Sequence, residues 1–112
     1  MKAKLRIAFE NEMLLAQQHY AGSNFTACFH HLERAHILGQ RHYLPHLRSH
    51  YWMFKAGLGS RDLREVLGQI PRMIASFGSL LGIVPVGNTG RARVPALRPM
   101  PVPADLQIHL SE

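Results

Sequence analysis

A chain of 112 residues, nearly half of them hydrophobic, has the length of one domain and is too apolar to be disordered throughout. Thirteen Lys and Arg against seven Asp and Glu leave a charge of +6. The basic residues are scattered, with Lys2, Lys4 and Arg6 at one end and Arg91, Arg93 and Arg98 near the other; with no basic run interleaved with aromatics, specific nucleic-acid binding is not expected.

The first predicted helix covers roughly Lys2 to Tyr20, because Leu5, Phe9, Met13, Ala16 and Tyr20 recur at spacings of three and four and line one face. Gly22 and Ser23 end it in a turn. The second runs from a cap at Asn24 to Leu38, with Phe25, Phe29, Leu32 and Ala35 inward and Gly39 as its stop. Cys28 falls within it beside two phenylalanines and reads as a small core residue; as the only cysteine it rules out an internal disulfide. The third begins near Leu44, since Pro45 suits a first helical turn, and Leu47, Tyr51, Phe54 and Leu58 form its expected inner stripe, closed by Gly57 and Gly59. The fourth opens on a capping box, Asp62 with Glu65, and a kink or break is expected near Pro71.

From residue 83 the character changes. The stretch from Gly82 to Leu106 holds five prolines and three glycines with no sustained period, and Pro99, Pro101 and Pro103 alternate as in a polyproline-like strand. The expected architecture is therefore all-α: a roughly four-helix antiparallel bundle over residues 1–82, with an extended proline-rich C-terminal arm, 83–112, packed on it. The most apolar stretch is too short and interrupted to span a bilayer, and no signal peptide is read, so a cytoplasmic protein without membrane contact is expected.

Half of the eight histidines lie in "LERAHILGQRHYLPHLRSH", residues 32–50. At about 100° per residue, Glu33 and His36 lie about 60° apart at the border of the second helix's packing face. This is the Glu-x-x-His spacing of carboxylate–histidine metal sites in bundles. On the third helix His42, His46 and His50 are four apart, and such a pair can chelate one ion from a single helix. Glu12 and His19 flank one edge of the first helix. If the helices pack as neighbours, Glu33, His36, His46 and His50 are the first-choice metal ligands, with Glu12 and His19 second. Mixed imidazole and carboxylate donors suit zinc, iron, nickel or copper(II). Burying a glutamate needs compensation, and Arg34, Arg41 and Arg48 are the alternative to a metal.

The sequence carries no catalytic constellation. His-Glu-x-x-His, a nucleophile elbow and a glycine-rich phosphate loop after a strand are all missing, and "GNTG" at Gly87–Gly90 reads as a turn. The first two helices resemble one tetratricopeptide unit, without its typical Trp and final Pro. That likeness supports an antiparallel helix pair, and makes a helical adaptor for a protein partner, or a homo-oligomer, the alternative to a metal-binding protein.

"LERAHILGQ", "VLGQIPRMIAS", "PVGNTG" and "MPVPADL", in this order and over nearly the whole chain, resemble a bacterial family known as domain of unknown function 3703. The family's usual "GNTGGA" is "GNTGRA" here, Arg91 standing in place of a glycine. The resemblance implies no established activity. Members of the family occur beside heavy-metal-resistance genes, which implies a link to heavy-metal handling and leads back to the histidines.

Overall fold

The computed structural model describes residues 1–111; residue 112, the last of the expected arm, lies outside them. Five α-helices follow in order: α1 (Ala3–Ala21), α2 (Phe25–Gly39), α3 (Tyr43–Ser60), α4 (Leu63–Ala75) and α5 (Ala104–Leu110), with a 3-10 segment, Ser76–Leu81, continuing α4. No strand forms among the described residues. Connections of two or three residues join the first four helices, so each packs back on the one before it. The fold is all-α.

The helix starts follow their caps. Asn24 Oδ1 accepts from Ala27 N at 3.2 Å and Asp62 Oδ1 accepts from Glu65 N at 3.1 Å, each satisfying an amide that the first turn leaves free. The expected faces of α1 and α2 are those that close the core: Phe9, Met13, Ala16, Phe29, Leu32 and Ala35 are buried. Cys28 is buried with them, and burial pushes its thiol up to about 11. Arg34 of α2 ties three helices together, holding Glu12 of α1 and Asp105 of α5.

Five expectations are corrected, in whole or in part. The inner stripe of α3 is not Leu47, Tyr51, Phe54 and Leu58, which are half-buried or exposed; Ser49, His50, Met53, Ala56 and Gly57 face inward instead. Small and polar residues let α3 sit close between its neighbours, and Gly57 and Gly59 belong to that contact. A Cβ on Gly57 would lie 3.1 Å from Val66 of α4, and one on Gly59 2.7 Å from the Phe25 ring. The helix therefore runs through both glycines and ends on Arg61, in the left-handed region at φ 59°.

The capping box at Asp62 is half made: Glu65 does not reach back, because its carboxylate is buried against Gln69, Arg91 and the Ala92 amide. At Pro71 the chain does not break; α4 continues to Ala75 before tightening into the 3-10 segment. The arm is not extended throughout. Residues 85–98 hold three turns, closed by Asn88 N to Pro85 O, Val94 N to Arg91 O and Arg98 N to Pro95 O, while residues 99–103 hold neither turn nor helix. After Pro103 the chain becomes α5, whose Leu106 is buried in the core.

Candidate metal centre

α2 and α3 are neighbours, and both present imidazole to their shared interior. On α3, His46 and His50 are four residues apart and so lie on one face one turn from each other. On α2, His36 falls in the last turn and points at them. His50 Nε2 lies 3.1 Å from His36 Nε2 and 3.1 Å from His46 Nε2. The three residues' ligand nitrogens all lie within 4.8 Å of one another. They border a cavity of about 70 Å³, whose wall also includes Gln40, Arg72 and Asn88.

The opposite ring nitrogens fix which nitrogen carries the proton. His36 Nδ1 lies 2.7 Å from the backbone carbonyl of Asn88, which can only accept, so Nδ1 donates. His50 Nδ1 lies 2.7 Å from Gln69 Oε1. Gln69's amide is oriented in turn: its Nε2 donates to Glu65 Oε2 at 2.6 Å and to the Gly90 carbonyl at 2.9 Å. With both Nδ1 atoms protonated, neutral His36 and His50 direct lone pairs at each other from Nε2. His46 Nδ1 is buried without a hydrogen-bond partner; the Ser76 backbone faces it but completes no hydrogen bond of normal geometry.

Burial sets the electrostatics. It drives His36 well below the ordinary histidine value, helped by the neighbouring His50 and His46. It lowers His50 to about 3 and His46 to about 4. At neutral pH all three rings are therefore neutral, the form in which imidazole binds metals.

The other residues singled out from sequence lie elsewhere. Glu33 is held by Arg91 at 3.1 Å, and burial raises its carboxyl against the lowering pull of that guanidinium. Glu12 is taken by Arg34 at 2.8 Å and His31 at 3.1 Å, the arginine compensation expected as the alternative to a metal. His19 stacks on His31, centroids 5.5 Å apart and rings nearly parallel. The structure thus brings together three of the six named residues, His36, His46 and His50. His42, the third member of the i, i+4 ridge, sits at the start of α3, outside the cluster.

Sequence reasoning did not single out the residues that support the cluster. Gln69 sits inside α4 where nothing marks it, and Asn88 and Gly90 were readable only as a turn. That turn is the support. Gly90, at φ 83°, lies so close that a Cβ there would sit 2.6 Å from His36 Cδ2. Asn88 anchors the turn, its side chain donating to the Pro95 and Arg98 carbonyls and accepting from Gly90 N. Arg91 follows at once. Its guanidinium lies 3.8 Å over the Phe29 ring and donates to Glu65 at 2.7 Å and to Glu33. Its φ is not positive, so no glycine is needed at that position.

Among the described residues no helix is long and apolar enough to cross a membrane. No curated protein and no solved structure matches the chain. A family profile does match over residues 3–110, nearly the whole chain, and the chain belongs to that family, described as protein of unknown function (DUF3703).

Proposed function

We propose that the protein binds one transition metal ion through the Nε2 atoms of His36, His46 and His50. One observation carries this reading: two buried, neutral imidazoles direct lone pairs at each other across 3.1 Å. Facing lone pairs repel, and a cation between them turns the repulsion into attraction. A proton is one such cation, but burial opposes a charged imidazolium, whereas a divalent ion binds the neutral form.

The spacing suits the role. Two nitrogens each about 2.0–2.1 Å from a tetrahedral ion sit roughly 3.3 Å apart. The widest separation in the set, up to 4.8 Å, must shrink by up to about 1.5 Å to close the coordination. The ligands also have the outer partners that metal-binding histidines use, a backbone carbonyl for His36 and an amide oxygen for His50. Three nitrogen donors suit zinc, iron, nickel or copper. A fourth position falls to the cavity, where Gln40 Oε1 is buried without a partner. A site with three protein ligands and one exchangeable position suits taking up and handing on an ion, as metal buffering or delivery requires. Glu33, Glu12 and His19 stand outside the ligand set in this reading.

Titration of metal-free protein with zinc and with cobalt(II), read by competition with a chromophoric chelator and by the cobalt absorption band, tests it. One ion per chain is expected, weakened about a hundredfold or more in His36→Ala, His46→Ala or His50→Ala, and unchanged in Glu12→Gln, Glu33→Gln and His19→Ala. An unaltered stoichiometry and affinity in the triple histidine variant would refute the assignment.

A further inference from the structure

α4 is turned inside out. Glu65, Gln69 and, in the 3-10 extension, Ser76 and Ser79 are buried, while Leu63, Leu67, Ile70, Ile74, Phe77 and Leu81 are exposed. Leu67 is 58 % and Ile74 74 % open to solvent. The four in α4 follow one another at intervals of four, three and four residues, the a/d spacing of a helix made to pack along another helix. Phe77 and Leu81, exposed on the 3-10 extension, lie beyond it. Together the six expose on the order of 700 Å², above the roughly 300–600 Å² of the largest patch on a typical monomer and close to the about 800 Å² per partner of a standard interface.

We infer that this stripe is the interface of a homodimer, in which α4 and its 3-10 extension pack on the same face of a second copy. A heptad stripe is filled by a matching heptad stripe, and a two-fold pair supplies one without a second gene product. Charge favours this occupant. Glu65 is buried and Arg72 is bonded inward to the Gly68 and Val94 carbonyls, so Arg64 is the one charged side chain of α4 left exposed. An antiparallel two-fold arrangement places the two copies of Arg64 at opposite ends of the contact. Little charge then has to be stripped of water, as in the cores of stable interfaces. The inference rests on the surface of α4 alone and stands independently of the metal reading.

Sedimentation equilibrium of the full chain gives the test. The native protein is expected at twice 12.7 kDa at micromolar concentrations. Leu67→Glu with Ile74→Glu should weaken the dimer about a hundredfold or more, with the helical circular dichroism retained because both side chains are exposed. Leu14→Glu, at an exposed leucine on α1, a helix that touches neither α4 nor the 3-10 segment, should leave it intact. In a second readout, Ile70→Cys should form an inter-chain disulfide under diamide, whereas Leu14→Cys should not; Cys28 is buried and does not compete. A native chain that stays monomeric at about 100 µM overturns the proposal, as does a dimer that survives the double glutamate change. A monomer that instead sediments with phosphatidylglycerol vesicles through this stripe also overturns it, in favour of a membrane surface.

Discussion

Gly90→Ala separates the geometry of the histidine cluster from the stability of the fold, because a second glycine serves as its control. At Gly90 the backbone is left-handed, φ 83°, and a Cβ would lie 2.6 Å from His36 Cδ2 and 2.8 Å from its Cγ and Nε2. At Gly82 the backbone is also left-handed, φ 76°, yet a Cβ there meets nothing within 4 Å. Alanine at either position incurs the left-handed penalty of about 1–2 kcal/mol, which at this chain length lowers Tm by roughly 4–8 °C. Only at Gly90 must something else move. Ordinary van der Waals contact begins near 3.4 Å, so the His36 ring has to retreat by about 0.8 Å, against a coordination tolerance of about 0.2 Å. Zinc affinity should fall by roughly ten- to a hundredfold, the range for disturbing a ligand's support. Thermal melts and chelator competition on both variants read the two effects apart. Gly90→Ala binding zinc as tightly as Gly82→Ala would show that His36 does not hold the ion.

Two further outcomes follow from the buried polar groups. Arg91→Leu leaves the fully buried Glu65 carboxylate with only the more distant Arg93, at 4.0 Å, as a cation; a loss of about 3 kcal/mol is expected in urea unfolding, at the low end for a broken buried pair because Arg93 remains and Arg91 is itself 23 % exposed. Glu65→Gln added to Arg91→Leu should recover at least half of that, and strictly additive losses would deny the coupling. For pH, histidine in the unfolded chain titrates near 6.5 while folded His46 and His50 titrate near 4 and 3. The unfolded state therefore takes up protons first, so the stability they contribute is complete above pH 6.5 and lost as pH falls toward 4. Metal-free protein should lose roughly 2–3 kcal/mol between pH 5.5 and 4.5 from these two rings, and His46→Ala with His50→Ala should flatten that slope.

What the sequence made readable was local. The three- and four-residue spacings of α1 and α2 gave their buried faces, because a helix whose neighbours are all on one side has only one way to hide Phe9, Met13, Phe29 and Leu32. Asn24 and Asp62 marked helix starts through bonds spanning three residues. The pairing of His46 with His50 followed from helical geometry, and His36 from its place at a face border. What failed depended on contacts between elements far apart in the chain. The glycines of α3 look like stops until Val66 and Phe25 are set against them. Glu33 looks like a ligand beside His36 until Arg91, 58 residues later, claims it. Gln69 has no local signature at all; its meaning comes from His50, Glu65 and Gly90 meeting around one amide.

The same contacts account for the orientation of α4. Its period says that one side is apolar and the other polar, but not which side is covered. Glu65, Gln69, Arg72 and Ser76 recur at four, three and four residues, and the first three bind other parts of the chain: Gln69 orients His50, Glu65 receives Arg91 and the Ala92 amide, and Arg72 holds the Val94 carbonyl. Turning the helix over would bury its leucines and isoleucines, but would release the 90–94 segment, and with it the Gly90 contact that seats His36. Within a single chain the polar stripe cannot face the histidines while the apolar stripe is hidden. A cluster that needs second-layer amides and carboxylates thus sends the helix's hydrophobic surface to the outside, where only another body can cover it. On this argument the histidine cluster and the exposed apolar stripe lie on two faces of one helix, and Gln69→Leu, which removes the amide that orients His50, weakens the hold of α4's polar side on the interior.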